Sequence, residues 1–432
     1  MQDAGSDFRL KRSMTMPPHI RQIGPKNGLP MPAHLDRFIR ELEALGGELG
    51  WYSPSFSPYP ILITRADLDE FQRLRLLLNT AIRGIVKTYL GDKRIREIIQ
   101  LPPDLCEILE TMAKRPYRIG SFRPDLLLDQ TGQWRICEIN ARFPLNGYMV
   151  STYINSFIAN LDYLAQNESA IPGLEQLIDQ GLSRLGSRVT LVKDLDLGKE
   201  IHLFISELQR RGIFCQQCSP EELQVTAGQL TVCGEPAGSL IWEVKREELR
   251  KLPSAVVEVL AHDTPYFNDL RTQILVHDKR LLAVLQSEEI VKSFLDRDDL
   301  SFLRRFLIPT WNAAEPTIQD NLRTDPKRWL LKPNSSGRGK GILVGRSCLG
   351  DTWLQGLKNC REYTAQYFLP QQEIPITAFE GGRPVTRNLN LVAMLPGFDE
   401  TLMGPGFFRA SDEELINLHG AGGSLVPAVC AL

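Results

Sequence analysis

The organising stretch of this chain is residues 331–343, with the sequence Leu-Lys-Pro-Asn-Ser-Ser-Gly-Arg-Gly-Lys-Gly-Ile-Leu. Apolar residues at 329–331 precede its glycines and others at 342–344 follow them, which predicts a β-hairpin with a glycine-rich loop. Glycine lets backbone N–H groups turn toward an anion, and Lys332 can place a positive charge on a phosphate. The stretch therefore predicts a phosphate-binding hairpin, with an ordinary solvent-exposed hairpin as the alternative.

The spacing of the glycines excludes two common phosphate-binding motifs. A Walker A loop needs Ser or Thr after Gly-Lys, whereas Gly341 follows Lys340 here. The glycine-rich loop of kinases has the spacing GxGxxG, whereas this chain has Gly337, Gly339, Gly341 and Gly345. If the hairpin binds phosphate, it belongs to another class of site.

Length and composition limit the classes of protein that the chain can represent. With 432 residues it exceeds one hydrophobic core, so we expect two or three domains. The 50 Lys and Arg residues are balanced by 52 Asp and Glu residues, which argues against a broad nucleic-acid-binding surface. No apolar run approaches the roughly 18 residues that span a bilayer, and the N-terminus has no signal-peptide core. We therefore expect a cytoplasmic protein with reduced thiols.

The eight cysteines do not predict a metal site. Cys215 and Cys218 form a CxxC pair and Cys233 follows, but no second CxxC or HxxxH completes a zinc site. Buried thiols are the favoured interpretation of these residues.

Periodicity divides the chain into five predicted regions. They are a mobile tail at 1–33, a helical region at 34–118, a first motif-bearing region at 119–185, a small α/β unit at 186–260 and a second motif-bearing region at 261–432. The helical region should contain one helix near 35–46 and a longer one with Thr64 as its N-cap. Another helix is predicted at 270–285, and the glycines at 420–423 predict a mobile loop near the C-terminus.

A second hairpin is predicted from strands at 119–128 and 133–140, joined by a turn at 129–132. A turn loop of two or four residues pairs positions whose numbers sum to 261. In that register Asp125 faces Ile136. A loop of three or five residues would instead shift the parity and move one strand's side chains to the other face.

Four polar side chains share one face of this predicted hairpin: Arg123, Asp125, Glu138 and Asn140. Carboxylate and carbonyl oxygens are the ligands that Mg²⁺ with bound phosphates requires. The two carboxylates are expected to repel each other until a cation arrives. The alternative is a solvent-exposed face on which Arg123 and Glu138 form a cross-strand pair.

Taken together, these motifs resemble the ATP-grasp enzymes. Their order resembles the circularly permuted branch, represented by eukaryotic glutathione synthetase and the synthetase domain of glutathionylspermidine synthetase. In most ATP-grasp enzymes the acidic metal ligands follow the Lys and the glycine-rich loop, whereas here they precede both. The resemblance covers roughly residues 119–432. The loop after Asn140 differs from that of glutathione synthetase, so neither glutathione nor spermidine is implied as a ligand.

The resemblance implies roles for individual residues. For Mg²⁺ it implies Asp125, Glu138 and Asn140. For ATP it implies Lys279, Lys332, Ser335, Ser336, Gly337, Arg338 and Gly339 at the phosphates, Gln366, Tyr367, Phe368 and Leu369 at the adenine, and Glu373 at the ribose. For the substrates it implies Arg142, Asn146, Arg409, Gly422 and Gly423. Candidate catalytic residues at the reacting carboxylate and the acyl phosphate are Arg123, Arg142, Arg387 and Arg409.

The fold class implied is α+β or α/β, a circularly permuted ATP-grasp fold with an inserted small α/β domain and a helical N-terminal region. The activity implied is that of an ATP-dependent carboxylate–amine ligase, which uses ATP and Mg²⁺ and forms an amide through an acyl phosphate. Its partners would be a small carboxylic acid and an amine or amino acid, without nucleic acid or membrane, and a homodimer is compatible with them. The alternatives are a phosphotransferase on the same fold and a nucleotide-binding protein without turnover.

Overall fold

The computed structural model describes residues 20–23, 40, 57–145, 147–159, 168–170, 179–181, 183–194, 200–262, 264–337, 339–348, 350–380, 383–416 and 423–431. Outside these residues lie Asn146, Arg338 and Gly422, together with nearly all of the helix predicted at 35–46 and most of the predicted C-terminal loop.

An eleven-stranded mixed sheet forms the largest layer of the protein. Its main path follows the strands Arg21–Gln22, Ile61–Ile63, Ser424–Ala431, Phe407–Ser411, Arg383–Met394, Ser121–Leu128, Gly397–Phe398 and Thr401–Leu402. Three further strands pair with members of this path: Ile374–Glu380, Trp134–Asn140 and Glu168–Ala170. Strands from both ends of the chain therefore meet in one sheet. Because Arg21–Gln22 pairs with Ile61–Ile63 and Ile20 is buried, the mobile tail predicted at 1–33 is wrong for these residues.

The helix Arg65–Thr88 packs against this sheet and begins where the sequence predicts. Thr64 Oγ1 accepts the backbone N–H of Asp67 at 3.1 Å, and the Asp67 carboxylate accepts the N–H of Thr64 at 3.0 Å. This reciprocal pair satisfies backbone donors that a helix start leaves without intrahelical partners. Apolar side chains at helical spacing, including Phe71 and Leu78, are buried in the main hydrophobic core.

A buried arginine of the same helix fixes it to the second predicted hairpin. The Nη1 of Arg75 donates to the carbonyl of Phe122 at 2.7 Å, and its Nε donates to the carbonyl of Asp399 at 2.9 Å. The guanidinium also lies 3.4 Å from the centroid of the Phe122 ring. Burial lowers the pKa of Arg75 to about 9.

We expect Arg75→Met to lower the free energy of unfolding by about 2–4 kcal/mol, because two carbonyls lose their donor inside the protein. Urea unfolding followed by circular dichroism measures the change. Arg73→Met is the matched control, since Arg73 lies two residues away and makes surface contacts, an ion pair with Asp299 and a stack on the Phe302 ring. Equal unfolding midpoints for Arg75→Met and the wild type would contradict the assigned role.

The glycine-rich stretch lies in a separate four-stranded antiparallel sheet, whose strands are, in order, Thr310–Asn312, Tyr363–Tyr367, Trp329–Pro333 and Leu343–Val344. Leu331 pairs with Leu343, so the predicted hairpin is confirmed, with residues 334–342 as its loop. The helices Pro316–Thr324 and Asp351–Lys358 pack on this sheet around a buried cluster that includes Trp329 and Trp353.

The region 186–260 forms a small α/β unit, as the strand–helix–strand pattern predicts. A parallel sheet contains Ser239–Glu243, Arg188–Lys193 and Phe214–Cys218, with the helix Glu200–Arg210 between the last two in the chain. A second, antiparallel sheet contains Leu223–Thr226, Gln229–Val232 and Glu235–Pro236.

The helix predicted at 270–285 is interrupted in the structure. A π-helical turn, Thr272–Val276, is separated from the helix Leu281–Gln286 by four residues that include Asp278. The carboxylate of Asp278 accepts the backbone N–H of Arg280 at 2.9 Å and binds its guanidinium through both oxygens. Such local side-chain bonds to the backbone compete with helical hydrogen bonds, which explains the interruption.

Shorter elements complete the described part of the chain. The further helices are Lys93–Ile98, Pro103–Met112, Tyr148–Ile158, Ser254–Leu260, Glu288–Val291 and Arg297–Arg304, and the 3₁₀ turns are Pro220–Glu222, Glu248–Lys251, Pro326–Arg328 and Cys360–Glu362. No helix within the described ranges is long and apolar enough to cross a membrane.

Candidate functional site

The second hairpin brings the predicted metal-binding side chains together, although not through the predicted register. Leu128 pairs with Trp134, so the turn loop contains the five residues 129–133 and not the two or four that we expected. A five-residue loop alone would place the two acids on opposite faces. A β-bulge at Cys137 inserts one more residue, and Asp125 then pairs directly with Glu138. The predicted pairing of Asp125 with Ile136 is therefore wrong, whereas the shared face is found.

Asp125 lies at the centre of this face and is fully buried. Arg123 binds it through two hydrogen bonds, at 2.7 Å to Oδ1 and 2.9 Å to Oδ2. Arg409, from the neighbouring part of the sheet, donates to Oδ2 at 2.6 Å. The side-chain nitrogen of Asn140 donates to Asp125 Oδ2 at 3.2 Å and to Glu138 Oε1 at 3.1 Å. Both carboxylates therefore lie within reach of one amide group.

The expected repulsion between the two carboxylates is offset by cations of the protein itself. Burial alone would raise the pKa of Glu138, but Lys279, Lys332, the hydrogen bond from Asn140 and Arg409 outweigh burial and lower it to about 2. Glu138 is therefore ionised at neutral pH. The predicted state, in which the acids repel until an external cation arrives, is not what the structure shows.

Lys332 connects the glycine-rich hairpin with the metal-binding hairpin. It is 5% exposed, and its Nζ donates to the carbonyl of Cys137, the bulge residue, at 3.0 Å. The side-chain nitrogen of Gln366 donates to the same carbonyl at 3.3 Å. One main-chain oxygen of the large sheet thus receives two donors from the four-stranded sheet, and the two motifs form one site.

Lys279 reaches the glycine-rich loop from the interrupted helix. Its backbone N–H donates to the carbonyl of Asn334 at 2.9 Å, and its Nζ donates to the carbonyl of Ser336. Ser335 Oγ donates to Glu247 of the small α/β unit at 2.9 Å. Gly339 has a φ of +67°, a conformation that side chains rarely adopt. A Cβ added at Gly337, by contrast, would meet open space.

The predicted adenine-binding segment continues from the strand that carries Gln366. The N–H groups of Tyr367 and Phe368 already donate to the carbonyls of Pro309 and Arg328, at 3.0 and 2.8 Å. Contacts to adenine would therefore have to come from other backbone groups of this segment, Leu369 included. Glu373 follows and is exposed.

Arg142 lies in a buried polar layer beside the site and not at the Asp125 cluster. Its Nη2 donates to Asp194 at 3.0 and 3.3 Å, and its guanidinium lies 4.4 Å from the centroid of the Phe143 ring. Asp194 follows the strand Arg188–Lys193 of the small α/β unit. Gly423, the described member of the predicted C-terminal substrate pair, is buried and directly precedes the strand Ser424–Ala431.

Arg387 is a second candidate catalytic residue, besides Arg142, that lies away from Arg123 and Arg409. Leu391 pairs with Ala410, and Arg387 shares the face of Leu391 because both lie at even spacing on one strand. Arg409, adjacent to Ala410, therefore points to the opposite face, toward Asp125. Because side chains alternate along a strand, Arg387 and Arg409 lie on opposite faces of the sheet, and the catalytic role predicted for Arg387 stays a prediction.

This placement predicts different effects for the two arginines. Arg409→Ala should reduce ATP turnover roughly 10–100-fold, since it removes a donor to the buried Asp125. Arg387→Ala should remain within about twofold of the wild type, because its side chain is exposed on the other face. Phosphate release by the two purified variants measures this, and equal losses in both would contradict the assignment.

The residues present fit a magnesium ion bound together with phosphates. Glu138 is ionised and offers the hard carboxylate oxygens that Mg²⁺ prefers. The amide nitrogen of Asn140 donates to Glu138 in this structure, so Asn140 would have to turn its oxygen toward the metal to serve as a ligand. Asp125 is held by two guanidinium groups, so it would share its oxygens between them and the metal. Four cations, Arg123, Arg409, Lys279 and Lys332, surround two carboxylates. The excess of positive charge suits a polyanionic ligand.

No zinc-type cluster accompanies this site. The eight cysteines are free thiols. Among the residues that the structure describes, no three or more His, Cys, Asp or Glu side chains group as a metal ion would require. The predicted magnesium set differs from such a cluster because it has two carboxylates and one amide.

Three features of the site escaped prediction. The carbonyl of Cys137 at the bulge is a main-chain group, and no residue type in a sequence indicates such a group as part of a site. Glu200 begins an amphipathic helix and carries no motif. His277 could have been noticed, because the polar run that it opens interrupts an apolar segment. Its Nδ1 accepts the N–H of Ala141 at 3.4 Å, and burial and nearby cations, Lys279 foremost, lower its pKa to about 3.

Comparison with known proteins extends over nearly the whole chain. A model of the AnkG N-terminal domain matches residues 74–275. The ATP-grasp enzyme ankG of Aspergillus thermomutatus is 26% identical over 451 residues, which cover 89% of this chain and 90% of that protein. The apo structure of a glutathione synthetase-like effector, GSS30 of Globodera pallida, matches 94% of this chain and 99% of its own, with a TM-score of 0.55 and 14% identity. The structural likeness concerns the fold.

Proposed function

We propose that this chain, a member of the circularly permuted ATP-grasp-like family, is an ATP-dependent carboxylate–amine ligase that forms an amide through an acyl phosphate. The predicted fold class is confirmed, since the α+β architecture matches that of a glutathione synthetase-like protein. ATP-dependent ligation is the activity expected of such an enzyme, and the acyl phosphate and the amide are the specific parts of the proposal.

The observation that carries the proposal is the meeting of two hairpins from different sheets. Lys332 of the glycine-rich hairpin bonds to the backbone of the hairpin that carries Asp125 and Glu138. Lys279 bonds to the glycine-rich loop and also lowers the pKa of Glu138. Phosphoryl transfer depends mainly on positioning and on stabilisation of negative charge. A buried group of cations next to two carboxylates supplies both requirements.

Each group then has a task in the proposed reaction. Lys279, Lys332 and the loop 335–341 bind the phosphates, and Mg²⁺, held by Glu138 and Asn140 with Asp125, would neutralise the charge of the transferred phosphoryl group. Arg123 and Arg409 both bind Asp125 and hold it in place. Arginine is suited to bidentate contacts with carboxylates and phosphates.

The proposed reaction has two steps. A carboxylate oxygen of the acid attacks the γ-phosphorus, the bond to the β-phosphate oxygen breaks, and ADP leaves. The nitrogen of the amine then attacks the acyl carbon, the bond from that carbon to the phosphate oxygen breaks, and the amine proton leaves with hydrogen phosphate. An acyl phosphate hydrolyses readily, so exclusion of water by the loop over Lys279 is useful to the enzyme.

Product analysis tests the proposal directly. The purified full-length chain is incubated with ATP, Mg²⁺ and a panel of small acids, amines and amino acids, and phosphate release selects the active pairs. Mass spectrometry should then detect an amide, together with ADP and phosphate in equal amounts. A phosphorylated product without an amide would instead show a phosphotransferase. Nucleotide binding without release of ADP across the panel would indicate a protein without turnover.

A further inference from the structure

The loop between the metal-binding hairpin and the helix Tyr148–Ile158, described at residues 141–145 and 147, is bound at both ends by buried side chains from distant parts of the chain. At its start, the N–H of Ala141 donates to His277. At its end, the N–H of Gly147 lies 3.0 Å from both carboxylate oxygens of Glu200. Glu200 is 6% exposed and is the first residue of the helix Glu200–Arg210 in the small α/β unit.

Glu200 also caps the helix that follows the loop. One of its oxygens accepts the N–H groups of Met149 and Val150 at 3.2 and 3.4 Å. A helix N-terminus leaves such donors without partners, and a carboxylate there is favourable. The usual cap is a neighbouring Ser, Thr, Asp or Asn, whereas this one is far away in the chain. The small α/β unit is thereby joined to the end of the loop.

Gly147 lies next to Arg123 and so links the loop to the metal-binding face. Its φ is +95°, and a Cβ built there would lie 3.5 Å from Nη1 of Arg123. Arg123 in turn holds Asp125 through two hydrogen bonds. Glu200 and Arg123 also attract each other electrostatically, and both lie close to Gly147, the last residue of the loop.

We propose that Glu200 is a positioning residue that holds the loop after the metal-binding hairpin, at its described residues 141–145 and 147, against the Arg123–Asp125 pair, so that the binding of the acid or amine depends on the small α/β unit. That this loop meets the substrate rests on the proposed function, for which Arg142 and Asn146 are candidate substrate residues. The clamp, meaning the hydrogen bonds of Glu200 to Gly147, Met149 and Val150, rests on the structure alone. Glu200 touches no reacting atom in this scheme. Its effect reaches the substrate through the backbone of Gly147.

Glu200→Gln tests the clamp, because the amide keeps the shape of the side chain but points N–H groups at backbone donors. Glu200→Asp tests the reach of the carboxylate, and Glu207→Gln is the control, since Glu207 lies on the same helix and binds Arg211 at its other end. Hydrogen exchange of the full-length protein is followed by mass spectrometry. We expect exchange in the peptide covering 141–150 to rise at least about tenfold in Glu200→Gln and to stay unchanged in Glu207→Gln.

Two exchange results would overturn the proposal. One is unchanged protection of 141–150 in Glu200→Gln. The other is an equal rise in the strands Arg188–Lys193 and Trp329–Pro333, because Glu200 would then only stabilise the fold as a whole. Neither measurement needs a substrate, so this test remains valid even if the panel yields no acid–amine pair and the proposed ligase activity fails.

Kinetics test the link to substrate binding, with the acid and amine that the phosphate-release panel identifies. Glu200→Gln should raise the KM of at least one of these two substrates about tenfold and leave the KM of ATP within about twofold, because the ATP-binding groups lie on other elements. Glu200→Asp should recover part of the loss. An equal rise in the KM values of ATP and of both substrates would overturn the positioning role.

Discussion

Lys332→Ala is expected to reduce ATP turnover by about 10²–10³-fold while the protein remains folded, because one preorganised charge at a phosphate site contributes that much to the rate. The physical reason lies in the surroundings of Lys332. Its ammonium is buried and bonds to the carbonyl of Cys137, at the junction of the two hairpins. A bound phosphate can take the place of that carbonyl or share the ammonium with it.

Two controls separate this effect from a loss of structure. Lys332→Met keeps the aliphatic stem and its volume, so it should show the same loss of turnover with an unchanged circular dichroism spectrum. Lys327→Ala removes an exposed cation of the turn Pro326–Arg328, just before the same hairpin, and should stay within about twofold of the wild type. The assignment of Lys332 fails if a folded Lys332→Met protein turns over ATP at the wild-type rate.

Glu138→Gln is expected to raise the Mg²⁺ concentration needed for half-maximal turnover roughly 10–100-fold and to slow the chemical step. The amide keeps one oxygen but loses the negative charge that attracts the metal. Lys279 and Lys332 both interact with the Glu138 carboxylate, so the substitution removes this attraction from both lysines. A Mg²⁺ titration of phosphate release measures the change, with Glu107→Gln, on an exposed helix face, as the control.

The pKa of Glu138 makes this test independent of pH over the working range. Because that pKa is lowered to about 2, the carboxylate remains ionised from about pH 5 to pH 9. The difference in Mg²⁺ requirement between the wild type and Glu138→Gln should therefore be the same at pH 6 and pH 8. Superimposable titrations of the two proteins would remove Glu138 from the metal site.

Local sequence patterns predicted those parts of the fold that depend on short-range chemistry. Glycines between apolar runs predicted the hairpin after Trp329, and Thr64 as the N-cap marked the start of the helix Arg65–Thr88. The face that carries Asp125 and Glu138 was also predicted, although the five-residue loop and the bulge produce it through another register. In each case the determining residues belong to one hairpin or one helix start.

The errors arose where distant contacts override local pattern. At the interruption of the helix predicted at 270–285, Asp278 adds a bond to the distant Arg246 to its local bonds with Arg280. That Arg387 and Arg409 lie on opposite faces could be seen only once the pairing of Leu391 with Ala410 was known. The clamp by Glu200 escaped prediction because it joins residues more than fifty positions apart.

The bulge at Cys137 has a consequence for how the enzyme tolerates substitution. Lys332 and Gln366 donate hydrogen bonds to the backbone oxygen of Cys137, and the thiol takes part in neither bond. The thiol makes a separate contact, to the carbonyl of Asp125 at 3.2 Å. Many small residues could replace Cys137 without loss of the bond to Lys332, whereas deletion of the position would remove it and reverse the face of Glu138. A family alignment could thus show a variable residue at a site where the length of the chain, and not the side chain, is under selection.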